Sequence, residues 1–324
     1  MKVSIVLATY NGALYVEQLV RSILDGSRLP DEWIVSDDRS SDHTPELVSR
    51  CLSGQANVEL VVNEVNIGAA KSFIKGTLRT TGDVVFFADQ DDVWNADKVA
   101  RMIAPFGNTK DLTMTYCDGL ITDSALVPQG TTIFSTRKRA RLGKGSAREP
   151  MDIAGNPDIQ GCTAAMNGDF LRGLFANSDP EFASYWGHDH WSALFAYGTG
   201  PTAVIPEALF LHRFHATNTS GAVKFNPWSL KHIRKYLAYA RSQRPDHFVR
   251  RYGLAIAQAE RMGDRFSPAL LDALRRFLSF AERRRDLRGS RFPGRLRATW
   301  ALHREGTYRD HFNGVATWFR DLFL

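Results

Sequence analysis

The sequence predicts an α/β protein: a mostly parallel sheet flanked by helices, with a helical C-terminal extension. Three observations predict it. Through residues 3–105, β-branched apolar runs of strand length alternate with segments whose apolar residues recur at helical spacing. The connections are short, as in strand–helix–strand units. Polar residues gather just past the carboxyl end of one strand after another, the edge where open α/β sheets bind ligands.

Val3-Ser4-Ile5-Val6-Leu7-Ala8 reads as the first strand. Polar Thr9-Tyr10-Asn11 follows at once, which a signal peptide would not show. Residues 13–25 carry Leu14, Val16, Leu19, Val20, Ile23 and Leu24 on one broad face and read as a helix. Trp33-Ile34-Val35-Ser36 is a second strand, ending in the polar turn Asp37-Asp38-Arg39-Ser40-Ser41-Asp42. A helix over 44–53, a strand over 58–62, a turn at Asn66-Ile67-Gly68 and a helix over 69–80 continue the alternation. Asp83 to Ala88 is the fourth strand, and Asp89-Gln90-Asp91-Asp92 follows it. Past residue 110 the alternation weakens. Met114 to Cys117 reads as a strand, residues 181–197 as aromatic-rich helix, Ala203 to Ile205 as a short strand, and the chain from 228 as amphipathic helix. There, Ser267-Pro268 is a helix-opening pair, with Leu270, Leu271, Leu274, Phe277, Leu278 and Ala281 at helical spacing. No internal repeat is visible.

The composition is that of an ordinary globular chain. Of 324 residues, 44% are hydrophobic and 23% charged, which excludes disorder, and no apolar run reaches the length of a membrane span. Cys51, Cys117 and Cys162 have no CxxC spacing, so a disulfide framework is not expected and a reducing cytoplasm fits. The net charge of +6 hides a split. Residues 1–230 carry 20 basic and 26 acidic side chains, and residues 231–324 carry 21 and 9. A basic tail suits an anionic surface or solvent. Arg137-Lys138-Arg139-Ala140-Arg141, with Lys144 and Arg148, reads as an exposed loop.

The acidic turn carries the chemistry. Asp89 and Asp91 alternate at a strand end and can converge on one small volume. Two carboxylates that close repel unless one is protonated or a cation bridges them. Oxygen ligands suit Mg²⁺ or Mn²⁺, often with substrate phosphates completing the shell. A capping turn for the next helix is the plainer use of such a run. Neither GxGxxG nor GxxxxGK[ST] is present, so a metal-bridged diphosphate is the economical phosphate site.

Four segments together resemble family 2 glycosyltransferases, which have the GT-A fold. They are Ser4 to Gly12, Val35 to Thr44, Asn66-Ile67-Gly68, and Phe87-Ala88-Asp89-Gln90-Asp91-Asp92-Val93-Trp94. The last is similar to the bacterial rhamnosyltransferase-like branch. Arg39 stands where that family usually has Gly. The resemblance implies a GT-A catalytic domain over 1–225, with a nucleotide-binding half over 1–110 and an acceptor half over 111–225, before a basic helical region over 226–324. It implies that Thr9, Tyr10 and Asp38 hold base and ribose, that Asn11 and Asn66 also bind the nucleotide-sugar, that Lys71 lies near the base or diphosphate, and that Asp89 and Asp91 carry the divalent metal on the diphosphate.

Further resemblances extend the site. Gly187-His188-Asp189-His190-Trp191 looks like the segment that supplies the general base, which assigns Asp189 to that role and Trp191 to the acceptor side. Gly161 to Asn167 resembles the acceptor-side strand. In His212 to Gly221, Arg213 is implied at the diphosphate and His215 at the metal. A zinc site of His188, His190, His212 and His215 is the competing use of these imidazoles.

The expected activity is inverting, metal-dependent transfer of a sugar, with rhamnose a candidate, from a nucleotide-diphospho-sugar to a glycan or lipid-linked glycan in bacterial surface polysaccharide synthesis. The alternatives are a sugar nucleotidyltransferase, for which the Gly-rich basic loop is missing, and a non-catalytic glycan- or membrane-binding protein. The chain is expected in the cytoplasm, docking peripherally on an anionic membrane face through the basic aromatic stretch 308–324. No RNA-binding signature accompanies Arg283-Arg284-Arg285, so no nucleic acid partner is expected.

Overall fold

A computed structural model describes residues 1–136, 148–215, 245–287 and 292–304. The stretch 308–324, most of the basic loop after residue 136, and residues 216–221 lie outside the described residues. The chain divides into two compact units, Met1–Arg148 with Asp158–Gly221, and Glu149–Pro157 with Ala222–Leu324. Residues 149–157 thus belong with the C-terminal unit rather than with the chain on either side of them.

In the first unit, β1 (Val3–Thr9), β2 (Glu32–Asp37), β3 (Val58–Val62) and β4 (Val84–Asp89) run parallel in the order β3-β2-β1-β4. Their connections are α1 (Val16–Leu24), α2 (Thr44–Cys51) and α3 (Ala69–Thr77). Val3, Ile5, Val6, Leu7, Trp33, Val35 and Val85 are wholly buried, as strands covered on both faces require. Gly76 of α3 lets that helix close on the sheet, since a Cβ there would lie 2.6 Å from Val6. The helix expected over 13–25 begins only at Val16, because Gly12 O first accepts a turn bond from Tyr15 N at 3.0 Å.

Beyond β4 come β5 (Val93–Trp94), α4 (Lys98–Asn108), β6 (Met114–Thr122), β7 (Pro128–Thr132), α5 (Ile133–Thr136), then α6 (Pro150–Gly155) of the other unit, and β8 (Ala164–Asn167). The sheet continues β4-β8-β6-β9-β5, with β8 antiparallel to both its neighbours and β7 paired to β6. The strands expected over 114–117 and 203–205 are much longer, at Met114–Thr122 and, for β9, Thr202–Arg213. Register shifts at Asp118 carry their pairing past Pro206 and break the alternation that marks a strand in sequence. After α7 (Gly168–Ala176), the helix expected over 181–197 is two, α8 (Phe182–Tyr185) and α9 (Gly187–Thr199). Gly187 at φ +72° makes the break, so α9 starts just before Asp189.

The second unit holds α6, α10 (Pro245–Met262), α11 (Pro268–Leu287) and α12 (Phe292–Arg304). Ser267 Oγ accepts from Leu270 N at 3.3 Å, the expected opening of α11. Leu270, Leu274, Phe277 and Ala281 are buried on its inner face. Among the described residues no helix is long and apolar enough to cross a membrane. Cys51, Cys117 and Cys162 are free thiols.

Candidate active site

The parallel strands end together. β1 stops at Thr9 beside Asp37, and Asp89 closes β4 level with Ala8. The loops that follow are laced to one another. Tyr10 N donates to Gln90 Oε1 at 2.9 Å, and Gln90 Nε2 returns a bond to Tyr10 O at 3.0 Å. Asn11 Oδ1 accepts from Ser41 N at 2.8 Å. This clasp fixes the first and second strand ends against the acidic turn, and Tyr10 remains 48% exposed above it.

The two Asp residues after β2 face inward. Thr9 Oγ1 and Ser40 Oγ both donate to Asp37 Oδ2 at 2.6 Å. The Asp38 carboxylate accepts from Ile67 N and Gly68 N at 2.8 Å and from Asn63 Nδ2 at 3.0 Å. Thr9 and Asp38 are therefore buried and tied to the chain, while Asn66 and Lys71 are exposed. Arg39, between the two turns, sits at φ +65°, which accounts for the glycine usual at that position.

The acidic turn is the electrostatic centre. Burial, with Asp92 and Asp91 close by, pushes the Asp89 carboxyl up to about 7. Burial and Asp92 also raise Asp91, against the pull of His215, whose Nε2 lies 2.8 Å from Asp91 Oδ2. The His215 ring stacks on Tyr15, centroids 4.8 Å apart. Asp92 is wholly buried, with its Oδ1 2.9 Å from His212 Nδ1. Burial alone would lower His212, but the Asp92 carboxylate outweighs it and lifts the imidazole to about 9. Asp92 Oδ2 finds no hydrogen-bond partner among the described residues. Crowded carboxyl oxygens with an imidazole beside them are the kind of donor set a hard divalent cation takes; of the expected ligands Asp91 and His215 meet, while among the described residues Asp89, Asp91 and His215 do not all bring ligand atoms within 4.8 Å of one another.

Other expected residues are placed differently. Arg213 is 3% exposed and binds the chain: Nε donates to Asp91 O at 2.8 Å, Nη1 to Ser124 O and Nη2 to Gln18 Oε1, both at 2.6 Å. It thus supports the backbone of the acidic turn. The four histidines do not gather. His188 packs in the core, and among the described residues the cluster of potential ligands is Asp92, Cys162 and His212, with atoms within 4.8 Å of one another. Trp191 is fully buried, stacked on Phe182 and donating from Nε1 to Ser178 Oγ at 2.9 Å, so its ring supports α9 and does not line an open acceptor site.

Asp189 is half-buried in the first turn of α9, where its Oδ1 accepts from His190 N at 2.8 Å. Burial would raise it, but His188, His190 and the backbone N–H hold it below the usual carboxylate range. His188 anchors this turn. Its ring stacks on Phe73 at 4.2 Å and meets Phe87 edge-on at 4.8 Å, two residues before Asp89. Gly161 leaves room for it, since a Cβ there would lie 2.8 Å from His188 Nε2.

Sequence reasoning missed the Asp92–His212 pair, Gln90, Cys162 and Lys98. Lys98 is wholly buried. Its one signal was position: it shares the apolar stripe of α4 with Met102, four residues on.

The glycosyl transferase family 2 profile matches residues 4–175, more than half of the chain. The chain belongs to glycosyl transferase family 2. Within this family 2 chain, the match covers the acidic turn and stops short of Asp189 and His215. Two curated relatives match part of the chain. One is a putative teichuronic acid biosynthesis glycosyltransferase, TuaG of Bacillus subtilis, 35% identical over 101 residues. The other is the dTDP-rhamnosyl transferase RfbG of Shigella flexneri, 31% identical over 102 residues. The aligned parts are 31% and 30% of this chain and span only 40% and 35% of those proteins. The mannosyltransferase PcManGT from Pyrobaculum calidifontis, solved with GDP-Man and Mn²⁺, superposes with a TM-score of 0.54 at 19% identity, over 99% of this chain and 84% of that one. That likeness establishes the GT-A fold.

Proposed function

We propose that this family 2 chain transfers a sugar, with inversion, from a nucleotide-diphospho-sugar to a glycan or lipid-linked glycan of a bacterial surface polysaccharide. The observation that carries the reading is the pair of raised carboxyls, Asp89 and Asp91, at the carboxyl end of β4 with His215 against the second. Crowded acids of this kind are stable as anions only beside a cation. Asp89, Asp91 and His215 would hold Mg²⁺ or Mn²⁺. The bound ion supplies charge stabilisation to the departing diphosphate.

The chain's own residues do the rest. Tyr10, Asn66 and Lys71 are exposed near the strand ends and are free to meet the nucleoside and diphosphate. Asp189, ionised at neutral pH, accepts the proton of the acceptor hydroxyl as that oxygen attacks C1. The C1–O bond to the diphosphate breaks, its electron pair leaves with the nucleotide, and one displacement inverts the anomeric centre. Rhamnose is the first donor sugar to test, because the Asp-Gln-Asp-Asp-Val-Trp turn resembles rhamnosyltransferases and RfbG is a dTDP-rhamnosyl transferase.

The test is a thermal-shift panel of dTDP-, UDP- and GDP-sugars with and without Mn²⁺, followed by transfer assays on Asp189→Asn. Metal-dependent stabilisation by one donor, retained in Asp189→Asn while transfer is lost, is the expected result. Stabilisation that ignores Mn²⁺ removes the metal from the reading, and full transfer by Asp189→Asn removes the base.

A further inference from the structure

At the strand ends, one side chain holds the loop after β1 by both hydrogen-bonding groups of a single residue's backbone. The pairing of β1 with β4 stops at Ala8 and Asp89. One residue further on, the Gln90 amide takes over, accepting at Oε1 from Tyr10 N at 2.9 Å and donating from Nε2 to Tyr10 O at 3.0 Å. A side-chain amide carries the same kind of donor and acceptor as a peptide group, so it can continue a ladder that the backbone has left. A glutamate would lack the N–H, and a methionine of similar length would lack both groups.

The rest of the loop is tied to the turn after β2 and the start of α2. Asp38 N donates to Thr9 O at 2.8 Å, Asn11 N to Ser40 Oγ at 2.9 Å, and Gly12 N to Thr44 Oγ1 at 2.8 Å. Asn11 sits at φ +46°, a conformation that a residue other than glycine keeps when its surroundings hold it. Tyr10 is thus fixed at its own N–H and C=O by Gln90 and through both neighbours by the second turn, while the residue stays 48% exposed. Gly12 leaves room for the same contact. A Cβ there would fall on the Gln90 amide, 2.5 Å from its Cδ and 3.1 Å from its Nε2. The strain of an alanine at 12 would therefore fall on that amide, which is the part able to yield.

We propose that Gln90 is a positioning residue for the nucleoside: it sets the Tyr10 ring for stacking on the base, and Gly12 keeps the space that its amide needs. The inference rests on the proposed contact between Tyr10 and the nucleoside. Gln90 itself touches no substrate in this role. A ring that must be ordered at the moment of binding loses affinity about two- to tenfold relative to one already in place.

The experiment is calorimetric titration of the full chain, at one fixed Mg²⁺ concentration, with whichever of dTDP, UDP or GDP wild type binds best. Tyr10→Ala, Gln90→Met and Gly12→Ala are measured beside wild type, as are the two doubles that combine Tyr10→Ala with each of the others, and thermal midpoints are recorded. Tyr10→Ala is expected to weaken binding at least about fivefold, the low end for removing a ring stacked on a base. Gln90→Met and Gly12→Ala are each expected to weaken it about two- to tenfold. Neither should weaken it further once Tyr10 is replaced, because a residue that acts through the ring then has nothing left to position. The same loss in both backgrounds overturns the positioning role, since Gln90 would then be supporting something else. So does wild-type affinity in Gln90→Met with Tyr10→Ala impaired. Gly12→Ala decides the matter if Gln90→Met does not fold. Wild-type affinity in Tyr10→Ala overturns the contact between Tyr10 and the nucleoside and the inference with it, and a wild type that binds none of the three overturns the proposed function as well.

Discussion

His212 Nδ1 lies 2.9 Å from Asp92 Oδ1, joining β9 to the acidic turn through two side chains that are almost wholly buried. The pair holds the turn from below, and Asp92 Oδ1 also lies 3.4 Å from Arg213 N. Removing one member of a buried ion pair strands the other, at a cost of about 3–5 kcal/mol. Asp92→Asn and His212→Gln should each approach that loss in urea unfolding. The double variant should cost clearly less than the two summed, because the stranded charge is gone. Additive losses would show that the two residues do not act together.

Asp38 makes a second, independent prediction. Its carboxylate gathers two backbone N–H groups, from Ile67 and Gly68, and the amide of Asn63. This shapes the turn between β3 and α3, and it leaves little of the carboxylate for a nucleoside. Asp38→Ala should cost about 1–3 kcal/mol of stability, the penalty for orphaned buried donors. A variant as stable as wild type, measured by urea denaturation, would return Asp38 to a purely ligand-binding role.

How much of this was legible in the sequence follows from what each residue's neighbours are. The parallel half was readable because β1, β2 and β4 are buried on both faces and spell continuous apolar runs, and because their polar ends align. The long antiparallel and parallel strands β6 and β9 were not, since register shifts at Asp118 let Glu207, His212 and Arg213 sit inside a strand. At the site, Asp89, Asp91 and Asp189 could be singled out from residue type and order. Thr9, Asp38 and Arg213 carry the same residue types, yet their polar atoms turn to the chain, which only the fold determines. Trp191 reads as a ring for an acceptor but is surrounded by Phe182, Trp186 and Phe195. Lys98 and Cys162 gain their meaning from a contact across 64 positions, for which no local pattern exists.

Gly161 should resist even the smallest enlargement. A Cβ there would come 2.8 Å from His188 Nε2 and 3.4 Å from Phe87 Cβ. The imidazole cannot swing away, because Phe73 is stacked on it and Phe87 abuts it. Gly161→Ala should therefore cost about 1–3 kcal/mol through overpacking. Combining it with His188→Ala should recover part of that loss. An Ala variant that unfolds at the wild-type urea midpoint would mean that the turn at 161–163 has slack.

His188 also gives the protein a measurable pH signature. Burial lowers its pKa from 6.5 to about 4, with Asp189 opposing the shift and His190 adding to it. The folded state thus keeps the imidazole neutral, while the unfolded chain takes up a proton once the pH falls below about 6.5. The unfolded state binds more protons in that window, so the contribution is complete above pH 6.5 and is lost as the pH falls towards 4. In His188→Phe the ring is retained and the proton uptake is not. Between pH 7 and pH 5 the stability of wild type should fall by about 2 kcal/mol more than that of the variant. Urea unfolding of both proteins at pH 7, 6 and 5 measures the difference, and titrating groups away from His188 cancel in the comparison. Parallel curves would mean that His188 takes its proton inside the fold. The first turn of α9 would then carry a positive charge next to Asp189, depressing that carboxylate further and weakening it as a base.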